Sequence, residues 1–121
     1  MKDLITNFES FLKSELLYSD PTNLYQPVKY ILESGGKRLR PLITMSVSDI
    51  LSNDSIKALP ASVSLEIFHN FTLAHDDIMD NSLMRRGKQT IHSKWDINTG
   101  ILSGDVMLIL SYEFLKKYDD L

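Results

Sequence analysis

Only four arginines occur in the chain, and they fall in two short segments, Lys37-Arg38-Leu39-Arg40 and Arg85-Arg86-Gly87-Lys88, which together hold six of the 13 basic residues. Every other basic position is lysine. A guanidinium fork grips phosphate or carboxylate through two parallel hydrogen bonds, which an ammonium cannot reproduce. Gly35-Gly36 precedes the first segment and could leave backbone N–H groups free. The helix that follows would offer the positive end of its dipole to an anion. Either segment alone also fits a solvated basic helix start. Two arginine pairs, one behind a double glycine, favour an anion site.

The acidic counterpart is Asp76-Asp77-Ile78-Met79-Asp80. On a helix Asp76 and Asp80 project from one face a turn apart, with Asp77 offset by about 100°. Like charges at that spacing are unfavourable on a helix. A divalent cation reverses the sign, and Mg2+ is usually held by one or two carboxylates plus substrate phosphates. The plainer alternative is an acidic surface helix. His69 lies two turns below Asp76 near the same face, and a lone histidine on a mostly apolar helix is usually a satisfied core residue. His75 reads as structural, and His92 and Trp95 as loop packing. Asp105, after Gly104, reads as a polar contact inside the fold or as support for the site.

The elements that must carry these groups are helical. Leu4, Ile5, Phe8, Phe11, Leu12 and Leu16 share one helical face, and Asp20-Pro21 stops that helix. A second helix spans about Leu24 to Ser34 and ends at Gly35-Gly36. A third starts around Pro41 and reaches about Leu51. A fourth, from about Pro60 to Asp80, is apolar over much of its circumference and is therefore central. Residues 81–96 lack periodicity, and a last helix runs from about Asn98 to Tyr118. No strand with sustained alternation is visible.

The 121 residues suit a single domain. A formal net charge of -3 disfavours nucleic-acid partners, and the lack of cysteine excludes thiolate chemistry and disulfides. No apolar run reaches the ~18 residues of a membrane span, so a cytoplasmic protein is expected.

Taken in order, Gly35-Gly36-Lys37-Arg38-Leu39-Arg40-Pro41, His69, Asp76 to Asp80, Arg85-Arg86-Gly87, Thr90-Ile91-His92 and Gly104-Asp105 resemble the trans-prenyltransferases, the isoprenyl diphosphate synthases, over about Gln26 to Tyr112. The resemblance implies an all-α helical bundle around a deep cavity, of which this single domain supplies about five helices as the N-terminal part. It implies that Asp76 and Asp80 bind Mg2+ that holds an allylic diphosphate, and that Arg85 contacts the same diphosphate. Those three are the implied catalytic residues. Lys37, Arg40, His69 and Arg86 are implied to bind isopentenyl diphosphate. Phe71, with the smaller Thr72 beside it, is implied to form a floor that limits product length, about 7.5 Å along the axis below Asp76. A homodimer is implied for the complete protein.

The family's second aspartate-rich motif does not occur in the chain, and Asp119-Asp120 does not replace it. An incomplete chain, inactive alone, is therefore expected. Two other readings stay open. One is a non-catalytic small subunit that modifies a full-length synthase. The other is a terpene cyclase fragment, which would not need the second diphosphate set of Lys37, Arg40 and His69.

Overall fold

The computed structural model describes residues 2–16 and 21–118; Asp20, Asp119 and Asp120 lie outside them. The architecture is all-α. Its helices are α1 (Lys2–Glu15), α2 (Thr22–Glu33), α3 (Leu39–Ser52), α4 (Leu59–Met79), α5 (Ile91–Lys94) and α6 (Ile97–Leu115), with a 3₁₀ turn at Ile56–Ala58. Among the described residues, no helix is long and apolar enough to cross a membrane.

The periodic segments became helices because their apolar residues meet in one core. Phe8, Val28, Leu32, Met45, Val63, Ile67 and Met107 are essentially inaccessible to solvent. As its composition predicts, α4 is central and packs against α1, α2, α3, α5 and α6. Two of its apolar residues depart from expectation: Leu65 and Phe68 are exposed, as are Ile109 and Tyr112 on α6 and Ile43, Val47 and Ile50 on α3.

The α4–α6 contact is close because α6 presents small residues. Gly100, Ser103, Gly104 and Ser111 are buried there, and Ser64 Oγ of α4 donates 2.6 Å to the Ser111 carbonyl. A Cβ at Gly100 would sit 2.9 Å from Ile78 Cδ1, and one at Gly104 would overlap the His75 imidazole. That ring is itself held, with Nε2 3.0 Å from the Ile101 carbonyl. Gly104→Ala gains about 1 kcal/mol of helix propensity, but overpacking costs typically 1–3 kcal/mol. We expect a net loss of about 1–2 kcal/mol in urea unfolding, recovered by adding His75→Ala. Unchanged stability in Gly104→Ala would show that the helices are not locked here.

Two expectations need correction. Residues 81–96 are not irregular: they hold a two-stranded antiparallel hairpin, β1 (Met84–Arg85) and β2 (Lys88–Gln89), followed by α5. Both strands and α5 are too short for a hydrophobic period to show. The local signal was Gly87, since a type I′ hairpin turn demands positive φ at both central positions; Arg86 and Gly87 take φ of 55° and 75°. With the one-turn α5, the described residues hold six helices, in keeping with the expected count of about five. Asp105 is exposed, its carboxylate 3.8 Å from His75 Nε2 at the surface rather than inside the bundle.

Candidate functional site

α2 stops where Ser34 turns its hydroxyl and its N–H back to the Tyr30 carbonyl. Gly35 and Gly36 follow at φ of 88° and 123°, a left-handed path that frees the chain to reverse. Arg38 is left-handed too, at φ 52°, and this turns its side chain inward. Its Nε donates to Glu9 (2.7 Å), one Nη to the Leu32 carbonyl (2.6 Å) and the other to Glu66 of α4 (3.5 Å). Lys37 and Arg40 on either side remain exposed. The first arginine pair is thus divided between the core and the surface.

The second pair divides in a related way. Arg85 of β1 grips Asp77 with two bonds of 2.8 Å. Asp77 is 3% exposed, so of the three acids it is the one spent on structure. Its neighbour Arg86, at the hairpin tip, reaches back across the chain and donates 2.7 Å to the Gly35 carbonyl. A Cβ at Gly36 would come within 3.1 Å of the Arg86 Cζ, so glycine is what allows the guanidinium to lie against this loop. The buried Asn70 accepts from Arg86 at 3.5 Å and donates to the Glu66 carbonyl.

These contacts bring the two basic segments together beside α4. His69, half-buried on α4, lies within the fields of Arg40, Arg86 and Arg85. Burial, and then the Arg40 charge, hold its imidazole below the usual histidine range, while Glu66 opposes them. The bond to Asp77 raises Arg85, and burial lowers Arg86.

Asp76 and Asp80 are exposed, and neither forms a side-chain hydrogen bond or ion pair with another described residue. Their fields reach Arg85. Among the described residues, no three acids or histidines form a ready-made metal cage. Two unpaired carboxylates one turn apart nevertheless fit Mg2+, which completes its octahedron with water and phosphate oxygen. Phe71 stands edge-on between Phe68 (5.4 Å between centroids) and His75 (5.0 Å), and Thr72 donates its hydroxyl to the His69 carbonyl. The larger surface clefts, about 490 and 440 Å3, lie along α1–α2 and α2–α5 rather than at the aspartates.

The fields of Arg40, Arg85 and Arg86 reach His69, and those of Asp76 and Asp80 reach Arg85, so these six lie along α4 from its middle to its C-terminal end, with Lys37 exposed beside Arg38. Sequence reasoning missed the polar residues beneath them, Glu66 and Asn70, and did not separate the inward-turned Arg38 and Asp77 from their exposed neighbours. The available signal was the i, i+4, i+8 series Ser62, Glu66 and Asn70 on an otherwise apolar helix, which marks a buried polar stripe.

The family model described as polyprenyl synthetase matches residues 21–121. A geranylgeranyl pyrophosphate synthase of Geoglobus acetivorans is 43% identical over 92% of this chain and 34% of its own length. A farnesyl diphosphate synthase of Micrococcus luteus is 39% identical over 76% of this chain and 32% of its own. Among solved structures, a geranylgeranyl pyrophosphate synthase superposes with TM-score 0.95 and 51% identity, covering 98% of this chain and 36% of that one. The Geoglobus acetivorans structure gives TM-score 0.93 at 41% identity, covering 98% and 39%. The chain spans about a third of the length of the curated relatives it matches.

Proposed function

The chain belongs to the polyprenyl synthetase family, and from that premise we propose that it forms the N-terminal, diphosphate-gripping part of a trans-prenyltransferase that joins isopentenyl diphosphate to an allylic diphosphate. In this reaction the allylic C–O bond ionises, the isopentenyl double bond attacks the carbocation to form a C–C bond, and a proton is lost. Asp76 and Asp80 are the residues that would hold Mg2+, which would supply positive charge against that of the departing diphosphate.

The chain's own groups do the rest. Arg85 keeps Nη1 uncommitted by its Asp77 pair, and this N–H faces the allylic diphosphate. Lys37, Arg40, His69 and Arg86 hold the isopentenyl diphosphate. Fixed donors of this kind stabilise charge where it develops, without reorganisation. Phe71 and Thr72 bound the space for the growing chain. The observation that carries this reading is the 2.7 Å bond from Arg86 to the Gly35 carbonyl, 51 residues away, which sets the two basic segments side by side and so supports reading them as one anion site. A terpene cyclase needs no such second diphosphate site.

His69 provides the test. A neighbouring diphosphate replaces a positive field with a negative one and raises the imidazole's proton affinity. Binding therefore takes up a proton at His69, and affinity rises as pH falls toward and below the usual histidine range, because the free imidazole is held beneath it. Calorimetry of isopentenyl diphosphate binding in two buffers of different ionisation heat gives the proton count. We expect His69→Gln to lose that uptake and Arg40→Ala to weaken binding by about ten- to a hundredfold. The same proton count in His69→Gln and unaltered affinity in Arg40→Ala would remove the site from this end of α4.

A further inference from the structure

The hairpin that presents Arg86 has a further attachment, on β2. The Tyr30 hydroxyl of α2 donates 2.7 Å to the Gln89 carbonyl on β2. The Tyr30 ring is oriented by an edge contact with Trp95, 5.2 Å between centroids, and by Lys94 Nζ, 4.6 Å above it. The Tyr30 carbonyl, in turn, receives the N–H and hydroxyl of Ser34, the last residue before Gly35. A closed circuit results: from α2 through Gly35 to Arg86, along the hairpin to Gln89, and back through the phenol to α2.

The two strands are held by different elements. Arg85 ties β1 to Asp77 of α4, and Arg86 ties the tip to the Gly35 carbonyl and, more weakly, to Asn70. The ladder between β1 and β2 spans only two residue pairs, and an isolated hairpin of that size is marginal in water, so β2 gains from an anchor of its own. The phenol supplies it at Gln89, next to the strand end rather than at the tip.

We propose that Tyr30 is a positioning residue for the isopentenyl diphosphate site, acting on Arg86 by holding the Gln89 carbonyl and so setting the spacing between the hairpin and the Gly35-Gly36-Lys37 loop. The proposal rests on the reading of that site given above. It is distinct from it, because Tyr30 itself touches no substrate.

The test is a double-mutant cycle on the chain, with inorganic pyrophosphate as probe and affinity read by calorimetry. Tyr30→Phe keeps the ring and removes only the hydroxyl. One net hydrogen bond of positioning corresponds to an expected loss of about three- to tenfold in affinity. In an Arg86→Lys background, where the fork that reaches Gly35 is gone, the same substitution is expected to change affinity less than twofold. Deuterium exchange at the Thr90 amide, which closes the hairpin on Leu83 at 3.0 Å, is expected to quicken in Tyr30→Phe while the α4 amides hold. Equal losses in both backgrounds would mean that Tyr30 supports the fold generally, and an unaltered affinity would mean it does not position Arg86. Either result overturns this proposal and leaves the site standing. Absence of pyrophosphate binding in the unsubstituted chain would instead overturn the site reading, and the proposal with it.

Discussion

Asp76→Asn is expected to weaken Mg2+-dependent binding of an allylic diphosphate by two orders of magnitude or more, with Asp80→Asn close behind, while the fold stays as stable as before. The two carboxylates would supply the protein's anionic ligands to the metal, and even the groups behind a metal ligand are typically worth ~10–100-fold in metal affinity, so loss of a ligand itself costs at least as much. The fold is indifferent because both carboxylates are exposed and lack an internal partner, and surface substitutions of this kind stay within about 0.5 kcal/mol. Asp77→Asn reverses the pattern. Its carboxylate is buried and doubly bonded to Arg85, so unfolding in urea is expected to move by about 2–4 kcal/mol. Binding then falls indirectly, as Arg85 is released. Titration of geranyl diphosphate with and without Mg2+, set beside urea curves for the three variants, separates the roles. If Asp77→Asn lost metal-dependent binding at unchanged stability, the division of the acidic cluster proposed here would be wrong.

The first arginine pair carries the largest expected loss of stability. Arg38→Ala strands Glu66, which is 4% exposed, without the ion-pair partner it has among the described residues. It also releases the Leu32 carbonyl and Glu9. Removing one partner of a buried ion pair costs about 3–5 kcal/mol, because the remaining charge stays desolvated. Domains of this size hold only about 5–15 kcal/mol in total, so the variant is expected to unfold at a sharply lower urea concentration. Arg38→Lys recovers part of this, since an ammonium lacks the planar fork that serves three acceptors at once. Arg40→Ala, two residues away and exposed, is expected to leave the midpoint unmoved. Matching midpoints for Arg38→Ala and Arg40→Ala would refute the inward assignment of Arg38.

Much of the molecule was legible beforehand, for reasons that are physical. α1, α4 and α6 run long enough for a 3.6-residue period to declare itself, and Gly35-Gly36 ends α2 by the left-handed geometry that glycine alone takes freely. Asp76 and Asp80 could be paired on one helical face by counting. The fates of Arg38 and Arg40 could not be, since residue type is identical and only backbone φ decides which one turns inward. The roles of Asp76 and Asp77 divide in the same way, through a partner eight residues on whose approach depends on a hairpin too short to leave a pattern. The exposure of Phe68 and Leu65 could not be read beforehand, because an apolar residue on a central helix is ordinarily covered, and here that flank of α4 is open.

The burial of Arg38 also bears on synthesis. Its carboxylate partners come from 29 residues earlier and 28 residues later in the chain. A nascent polypeptide that has emerged only through α3 has half the counter-charge, and that half is the more accessible one. The α2–α3 corner therefore gains its full anchoring only after the first two turns of α4 clear the ribosome, so α1 to α3 wait as a loosely collapsed group until α4 arrives.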